Sequence, residues 1–238
     1  MNRCIAFVAF GGEYDKLAAS TAKYSRRYTD LPFYVLTNMK ARDTVWESVS
    51  NVTFKYFPMP HEDNRKIRVS MIKFIPFDEV LYMDADSVIQ KPGIENVFNL
   101  LKNYDIVCQF YQLFKPKSSL QRKTYGKLAE LLGEKFPIER VFAGTFLFKK
   151  SDISFKFFDM WKKYYELNDC GRDMPAFCFT VRHFRSFVGV CEKDNEIKLM
   201  ALKENNYHYI QHNDFSGWNK KFGIPDYNMW SPPLRNKQ

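Results

Sequence analysis

Pro76-Phe77-Asp78-Glu79-Val80-Leu81-Tyr82-Met83-Asp84-Ala85-Asp86-Ser87-Val88-Ile89 is the stretch that decides how this chain is read. The apolar run Val80-Leu81-Tyr82-Met83 predicts a buried strand, and Asp84-Ala85-Asp86 falls where that strand runs out. In extended backbone, residues i and i+2 point to the same side, roughly 6 to 7 Å apart. Two carboxylates held that way, with no cation inside the tripeptide, repel each other unless a divalent ion lies between them. Mn²⁺ or Mg²⁺ is the expected cofactor. Such an ion keeps coordination positions open, and diphosphate oxygens are their usual occupants. A bare Asp-x-Asp also occurs as a solvated turn, so the surrounding chain must decide.

Upstream, Cys4 to Phe10 is a nearly continuous apolar run, as in a strand buried on both faces of a mostly parallel sheet. Gly11-Gly12 ends it, and Tyr14, Leu17, Ala18, Thr21, Ala22 and Tyr24 follow helical spacing. Phe33 to Thr37 then reads as a second strand after the turn at Asp30-Leu31-Pro32. This β-α-β unit puts Phe10, Gly11 and Tyr14 at the carboxyl edge of the first strand, where open α/β sheets bind nucleotides. The sequence is not GxGxxG, so the dinucleotide fingerprint is missing.

The alternation continues with a helix near Arg42 to Val49, a strand near Val52 to Phe57 and a helix near Ile67 to Phe74. Beyond Asp86 come a helix at Ile94 to Leu101, a strand at Asp105 to Phe110, a helix near Tyr125 to Leu132 and a strand at Val141 to Phe148. Ile153 to Tyr165 and Met174 to Val181 read as further helices. This order predicts an α/β fold: one Rossmann-like domain with an open, mostly parallel mixed sheet flanked by helices, its ligand crevice at the strand ends.

Composition narrows the partners. Against 27 Asp and Glu the chain has 36 Lys and Arg, a net charge of +9, and basic proteins gather anions. The cations are scattered, with small clusters at Arg65-Lys66-Ile67-Arg68, Lys115-Pro116-Lys117 and Gln121-Arg122-Lys123, so nucleic acid is not an expected partner. An aromatic core is expected from 23 Phe and 14 Tyr. Cys4, Cys108, Cys170, Cys178 and Cys191 are odd in number and lack a C-x-x-C pair, which argues for buried reduced thiols rather than a disulfide framework or zinc site. With no apolar run of membrane-spanning length and a strand-like start at Met1-Asn2-Arg3-Cys4-Ile5, the expectation is a soluble cytoplasmic protein. The tail from Trp218 to Leu234 mixes Trp218, Phe222, Tyr227 and Trp230 with prolines and lysines. Packing back on the domain is its default, and closure over nucleotide, acceptor binding or peripheral contact with a membrane surface are its alternatives.

The stretch from Pro76 to Ile89 resembles the signature of the GT-A glycosyltransferases, most of all family 8 and its glycogenin-like members, and the resemblance covers roughly residues 4 to 220. It implies a metal-dependent glycosyltransferase, expected to be a hexosyltransferase. Such an enzyme moves a sugar from a nucleotide-sugar donor, expected to be a UDP-sugar, to a hydroxyl of a glycan, glycoprotein or glycolipid acceptor, with retention of configuration. The single domain over 1–238 then divides into a nucleotide-binding half (1–90), a donor-sugar and acceptor half (91–212) and a C-terminal tail (213–238).

By the same resemblance Asp84 reaches the ribose as well as the ion, and Asp86 is the firmer metal ligand. A Lys or Arg on the preceding helix contacts the nucleotide or sugar; Lys66 matches the pattern best and Arg68 is the second choice. Gly144, in Val141-Phe142-Ala143-Gly144-Thr145, would let the backbone approach the donor sugar. Asp173, in Gly171-Arg172-Asp173-Met174-Pro175-Ala176, would hydrogen-bond sugar hydroxyls near the reacting carbon, although it also reads as a helix N-cap. Met174 stands where the family has Gln, which leaves sugar identity and stereochemistry open. His212 would be the third metal ligand, with His208 as the alternative, and Gly217 and then Lys220 follow in the family's order, Lys220 as the residue that binds diphosphate. Two other readings stay beside this one: an Asp-x-Asp phosphatase or nucleotidyltransferase, and a non-catalytic nucleotide-binding module of the same fold.

Overall fold

Cys4, Ile5, Ala6 and Phe7 are all fully excluded from solvent, which requires a sheet covered on both faces. The computed structural model describes residues 2–169, 171–201 and 209–212, and that sheet is its centre. In chain order the strands are β1 (Arg3–Ala9), β2 (Phe33–Thr37), β3 (Val52–Tyr56), β4 (Glu79–Met83) and β5 (Ser87–Ile89). They continue as β6 (Ile106–Phe114), β7 (Ile138–Lys149), β8 (Val188–Cys191), β9 (Met200–Ala201) and β10 (Ile210–His212). The large sheet has seven strands in the order β3-β2-β1-β4-β7-β6-β8, and β5, β10 and β9 form a small second sheet. In the large sheet β7 runs against its neighbours β4 and β6, while the other pairings are parallel. The mixed, mostly parallel α/β sheet expected from the sequence is the one observed.

Side chains alternate across this sheet with the strand period of two. Cys4 and Ala6 of β1 join Tyr34, Leu36, Val80, Tyr82, Phe146 and Phe148 on one face. Ile5, Phe7 and Ala9 join Phe33, Val35, Leu81, Met83 and Leu147 on the other. The helices are α1 (Gly12–Ser25), α2 (Asn64–Arg68), α3 (Ser119–Gln121), α4 (Lys127–Leu132), α5 (Asp152–Leu167) and α6 (Asp173–His183). Leu17, Ala18 and Ala22 of α1 cover the second face. The first is covered by Phe157, Phe158 and Trp161 of α5 and Phe177 of α6.

Much of the aromatic content is spent there. Trp161 packs on Phe177 at 4.8 Å between ring centroids and on Phe146 at 5.6 Å, and Phe148 meets Phe158 edge-on at 5.0 Å. Each such pair is worth about 0.5–1.5 kcal/mol beyond its burial. Cys4, Cys108, Cys178 and Cys191 are buried free thiols. Burial pushes Cys178 up to about 11 and Cys191 up to about 12. Among the described residues no helix is long and apolar enough to cross a membrane.

Three helices expected from spacing are tighter or divided. The segments near Arg42 to Val49 and Ile94 to Leu101 are 3₁₀ helices at Thr44–Ser48 and Ile94–Lys102, and the Ile67 to Phe74 segment splits between α2 and a 3₁₀ turn at Met71–Lys73. Apolar residues three apart, such as Ile94 with Val97 and Phe98 with Leu101, serve a 3₁₀ turn as well as an α turn.

Candidate active site

From β1 the chain winds outward through β2 and β3 on one side, and β4 begins the other side. Ligands of open α/β sheets bind in the crevice beyond the carboxyl ends of strands at such a reversal. The two segments singled out in the sequence leave β1 and β4 at this point. Gly11, just past β1, has φ +88°, a backbone that favours glycine, and its N–H donates to Asn38 Oδ1 at 2.8 Å. The Phe10 carbonyl meets His61 Nδ1 at 2.8 Å, and the His61 ring lies 5.4 Å from that of Tyr14. Tyr14 lines the crevice, whereas the Phe10 ring is turned into the core against Phe57. His61 drew no attention in the sequence, where it carries no motif.

Asp84-Ala85-Asp86 is not extended. Ser87 N–H donates to the Asp84 carbonyl at 3.0 Å, closing a turn, and Thr21 Oγ1 donates to the Ala85 carbonyl at 2.6 Å. The turn follows from topology, because the chain leaves β4 in the large sheet and enters β5 in the small one. Tyr82 donates its hydroxyl to Asp84 Oδ1 at 2.7 Å and fixes that carboxylate. On the other side Asp84 N–H donates to the Gly144 carbonyl at 2.7 Å, and a Cβ placed on Gly144 would stand 2.5 Å from Asp84 Oδ2. Gly144 is therefore glycine because the Asp84 carboxylate occupies the space of its missing side chain.

Arg68, at the end of α2, joins the two halves of the site. Its Nη1 lies 3.3 Å from Asp84 Oδ1 and 3.1 Å from Asp173 Oδ2, and Nη2 donates to the Ala143 carbonyl. Burial works against its charge, but Asp173 and then Asp84 more than offset that cost and hold it above its ordinary value. Lys66, the better match to the family pattern, is exposed and pairs with Asp63 at 2.5 Å, outside the crevice. Two residues apart on a helix is about 200° of rotation, so only one of the two cations can face the site.

Asp173 is the first residue of α6, not its cap. Arg172 holds the cap position, and no side chain caps this helix. What fixes Asp173 is Trp161, whose Nε1 donates to the Asp173 carbonyl at 3.1 Å from within the aromatic core. Its buried Oδ2 meets Arg68 as an ion pair but has no hydrogen-bond partner among the described residues, so it retains acceptor capacity. Arg65 Nε stands 4.0 Å from Asp173 Oδ1.

These groups share a cavity of about 570 Å³. Tyr14, Arg65, Arg68, Asp84, Asp86, Gly144 and Asp173 line one part of it. A second wall, unseen in the sequence, comes from Ser118 to Tyr125, where a Ser118–Gln121 capping box starts α3 and a π-helical turn at Arg122–Gly126 follows. Asp84 and Asp86 supply hard oxygen ligands from one turn, a donor set that fits a divalent ion completed by phosphate oxygens. Among the described residues no three His, Cys, Asp or Glu side chains gather as a metal-sized group. For His212 the backbone alone is described, paired opposite Ser87 in the small sheet. His208, Gly217, Lys220 and the tail lie outside the described residues.

The architecture around this crevice matches solved glycosyltransferase structures. A galactosyltransferase, LgtC, solved with donor and acceptor sugar analogues, superposes with TM-score 0.55 at 14% identity, covering 92% of this chain and 91% of that one. Mouse xyloside xylosyltransferase 1 in its apo form gives 0.59 at 13%, covering 90% and 98%. The bifunctional glycosyltransferase WbbM gives 0.58 at 11%, covering 89% of this chain and 45% of that one. The chain has the GT-A fold. No protein-family model and no curated protein sequence matches it. In this GT-A framework β1 through β4 pair in the order β3-β2-β1-β4, and β7 carries Gly144 to the tip of β4.

Proposed function

We propose that this protein is a metal-dependent glycosyltransferase that moves a sugar from a nucleotide-diphosphate sugar, a UDP-sugar being the expected donor, to an acceptor hydroxyl. One observation carries the reading: Asp84, Arg68, Gly144 and Asp173, from four separate segments, converge on one cavity at the strand-order reversal. An Asp-x-Asp phosphatase normally has its motif after the first strand of the domain, whereas Asp84 here follows the fourth.

In this reading Asp84 and Asp86 would hold Mn²⁺ or Mg²⁺, and such an ion, when bound, would supply Lewis-acid neutralisation of charge on the departing diphosphate. Tyr82, kept protonated by burial despite the nearby Arg68, orients Asp84 through its hydroxyl. Arg68 lets two carboxylates occupy one cavity without mutual repulsion and offers a fixed positive charge beside the diphosphate. Asp173 accepts from donor-sugar hydroxyls through Oδ2 and sets the anomeric carbon against the acceptor. The bond from that carbon to the phosphate oxygen breaks with its electron pair going to the nucleotide; the bond to the acceptor oxygen forms as that hydroxyl passes its proton to the departing diphosphate. Retention of configuration is proposed from the family-8 resemblance of the Pro76 to Ile89 stretch. With Met174 beside Asp173, no side-chain carboxamide at that position can approach the reaction centre.

A nucleotide-sugar hydrolysis screen with Mn²⁺ tests the proposal, because transferases slowly hydrolyse their donors without acceptor. Release of UDP from at least one UDP-sugar, abolished by EDTA, is expected. Phosphate release from simple monoesters, with every nucleotide-sugar inert, would favour the phosphatase reading instead.

A further inference from the structure

Arg140, on β7, has no role in the site as described so far. It lines the cavity on the side of Met174 and the Ser118 to Tyr125 wall. Its guanidinium is held by aromatic rings, with Cζ 4.8 Å from the centroid of Tyr111 and 5.3 Å from that of Phe114. The Phe114 ring in turn packs on Tyr125 at 4.6 Å. Its side-chain hydrogen-bond partners are uncharged: the thioether of Met174, a weak acceptor 3.5 Å from Nη2, and the Tyr125 hydroxyl. Its Nε is buried and has no hydrogen-bond partner among the described residues.

Arg68, the other half-buried arginine of the cavity, is treated differently. Arg68 is matched by Asp84 and Asp173, whereas among the described residues no carboxylate pairs with Arg140. A guanidinium fixed by packing, lining a cavity and met only by uncharged partners, is costly unless something anionic completes it. Its position says what that something is attached to. Gly144 abuts Asp84, and Arg140 lies four residues away along the same strand, at most about 13 Å. If the diphosphate sits at Asp84 and Asp86, Arg140 faces the far, sugar-bearing end.

We propose that Arg140 is a specificity-determining residue that recognises an oxyanion, a carboxylate or phosphate, on the sugar bound at the outer end of the cavity. The inference rests on the glycosyltransferase reading only for which end of the substrate is charged; the anion preference stands on the cavity alone. The charged group belongs to the acceptor sugar or to the transferred sugar.

Two arms of one calorimetric experiment separate these sources. Methyl β-glucuronide and methyl β-glucoside are titrated into the protein with and without UDP and Mn²⁺, and UDP-glucuronate is compared with UDP-glucose. We expect the charged member of at least one pair to bind about ten- to a hundredfold tighter, as for a charge-assisted hydrogen bond. Arg140→Gln removes that preference, while Arg140→Lys, which keeps the charge, retains part of it. A preference in the methyl glycoside arm identifies the acceptor, and one in the nucleotide-sugar arm the donor. Equal binding of both pairs by the wild type, or a preference that survives Arg140→Gln in a variant with wild-type melting temperature, overturns the proposal. Failure of UDP itself to bind would count against the glycosyltransferase reading, and the methyl glycosides without UDP would still report on Arg140.

Discussion

Gly144 lies so close beneath Asp84 that a single added methyl group would stand 2.5 Å from the carboxylate Oδ2. The contact ties β7 to the end of β4 and leaves Asp84 one position in which to sit, with Tyr82 holding its other oxygen. Gly144→Ala must displace the carboxylate or the strand. Overpacking of this kind costs about 1–3 kcal/mol of stability. Activity is expected to fall at least a hundredfold, a loss larger than that destabilisation alone explains. Thermal melting beside donor hydrolysis rates checks this; wild-type rates would mean that Asp84 can move without consequence.

Arg68 and Lys66 separate cleanly by mutation. Lys66→Ala removes an exposed pair and is expected to change donor hydrolysis less than about twofold. Arg68→Ala leaves the Asp84 and Asp173 carboxylates together without their shared cation, which costs about 3–5 kcal/mol for a buried pair. Added Mn²⁺ should recover part of that loss in a melting experiment, since the ion supplies positive charge at Asp84.

Trp161 links the aromatic core to the chemistry through its hydrogen bond to the Asp173 carbonyl. Trp161→Phe keeps most of the ring packing and deletes the N–H. UDP affinity should be unchanged within twofold while the turnover number falls about tenfold, because Asp173 is loosened but the metal-binding turn is not. Equal loss of both would place the effect in the fold as a whole.

Asp194 gives the acid limb of stability. Burial raises its pKa, but hydrogen bonds from Arg185 at 2.6 and 2.9 Å and from Val190 N–H at 2.7 Å outweigh that and hold it below its ordinary 3.8. A depressed folded value stabilises above the unfolded pKa and is lost as pH falls through the folded one. The wild type should therefore melt above Asp194→Asn at pH 5 and above, with the gap closing below pH 3.8.

What could be read in the sequence was whatever strand periodicity and a short motif encode. β2 was legible to the residue, and Asp84, Asp86, Gly144 and Asp173, which line one cavity, each stand in a short local pattern. The choice between Lys66 and Arg68 was not legible, since it depends on which face of a five-residue helix turns inward. The Asp84-Ala85-Asp86 turn was hidden for a similar reason: it exists because β5 belongs to a second sheet, and three-residue strands leave no periodicity. Arg140, His61 and the Ser118 to Tyr125 wall meet the site only through long-range packing, which no local pattern reports.

The central claim is that Asp84 and Asp86 hold a divalent ion that in turn holds a nucleotide diphosphate. Calorimetric titration of UDP into the wild type with Mn²⁺, the same titration with EDTA, and a third on Asp86→Ala with Mn²⁺ test it most directly. Binding is predicted in the first alone, weakened at least about tenfold in the other two. Equal UDP affinity in all three would contradict the account.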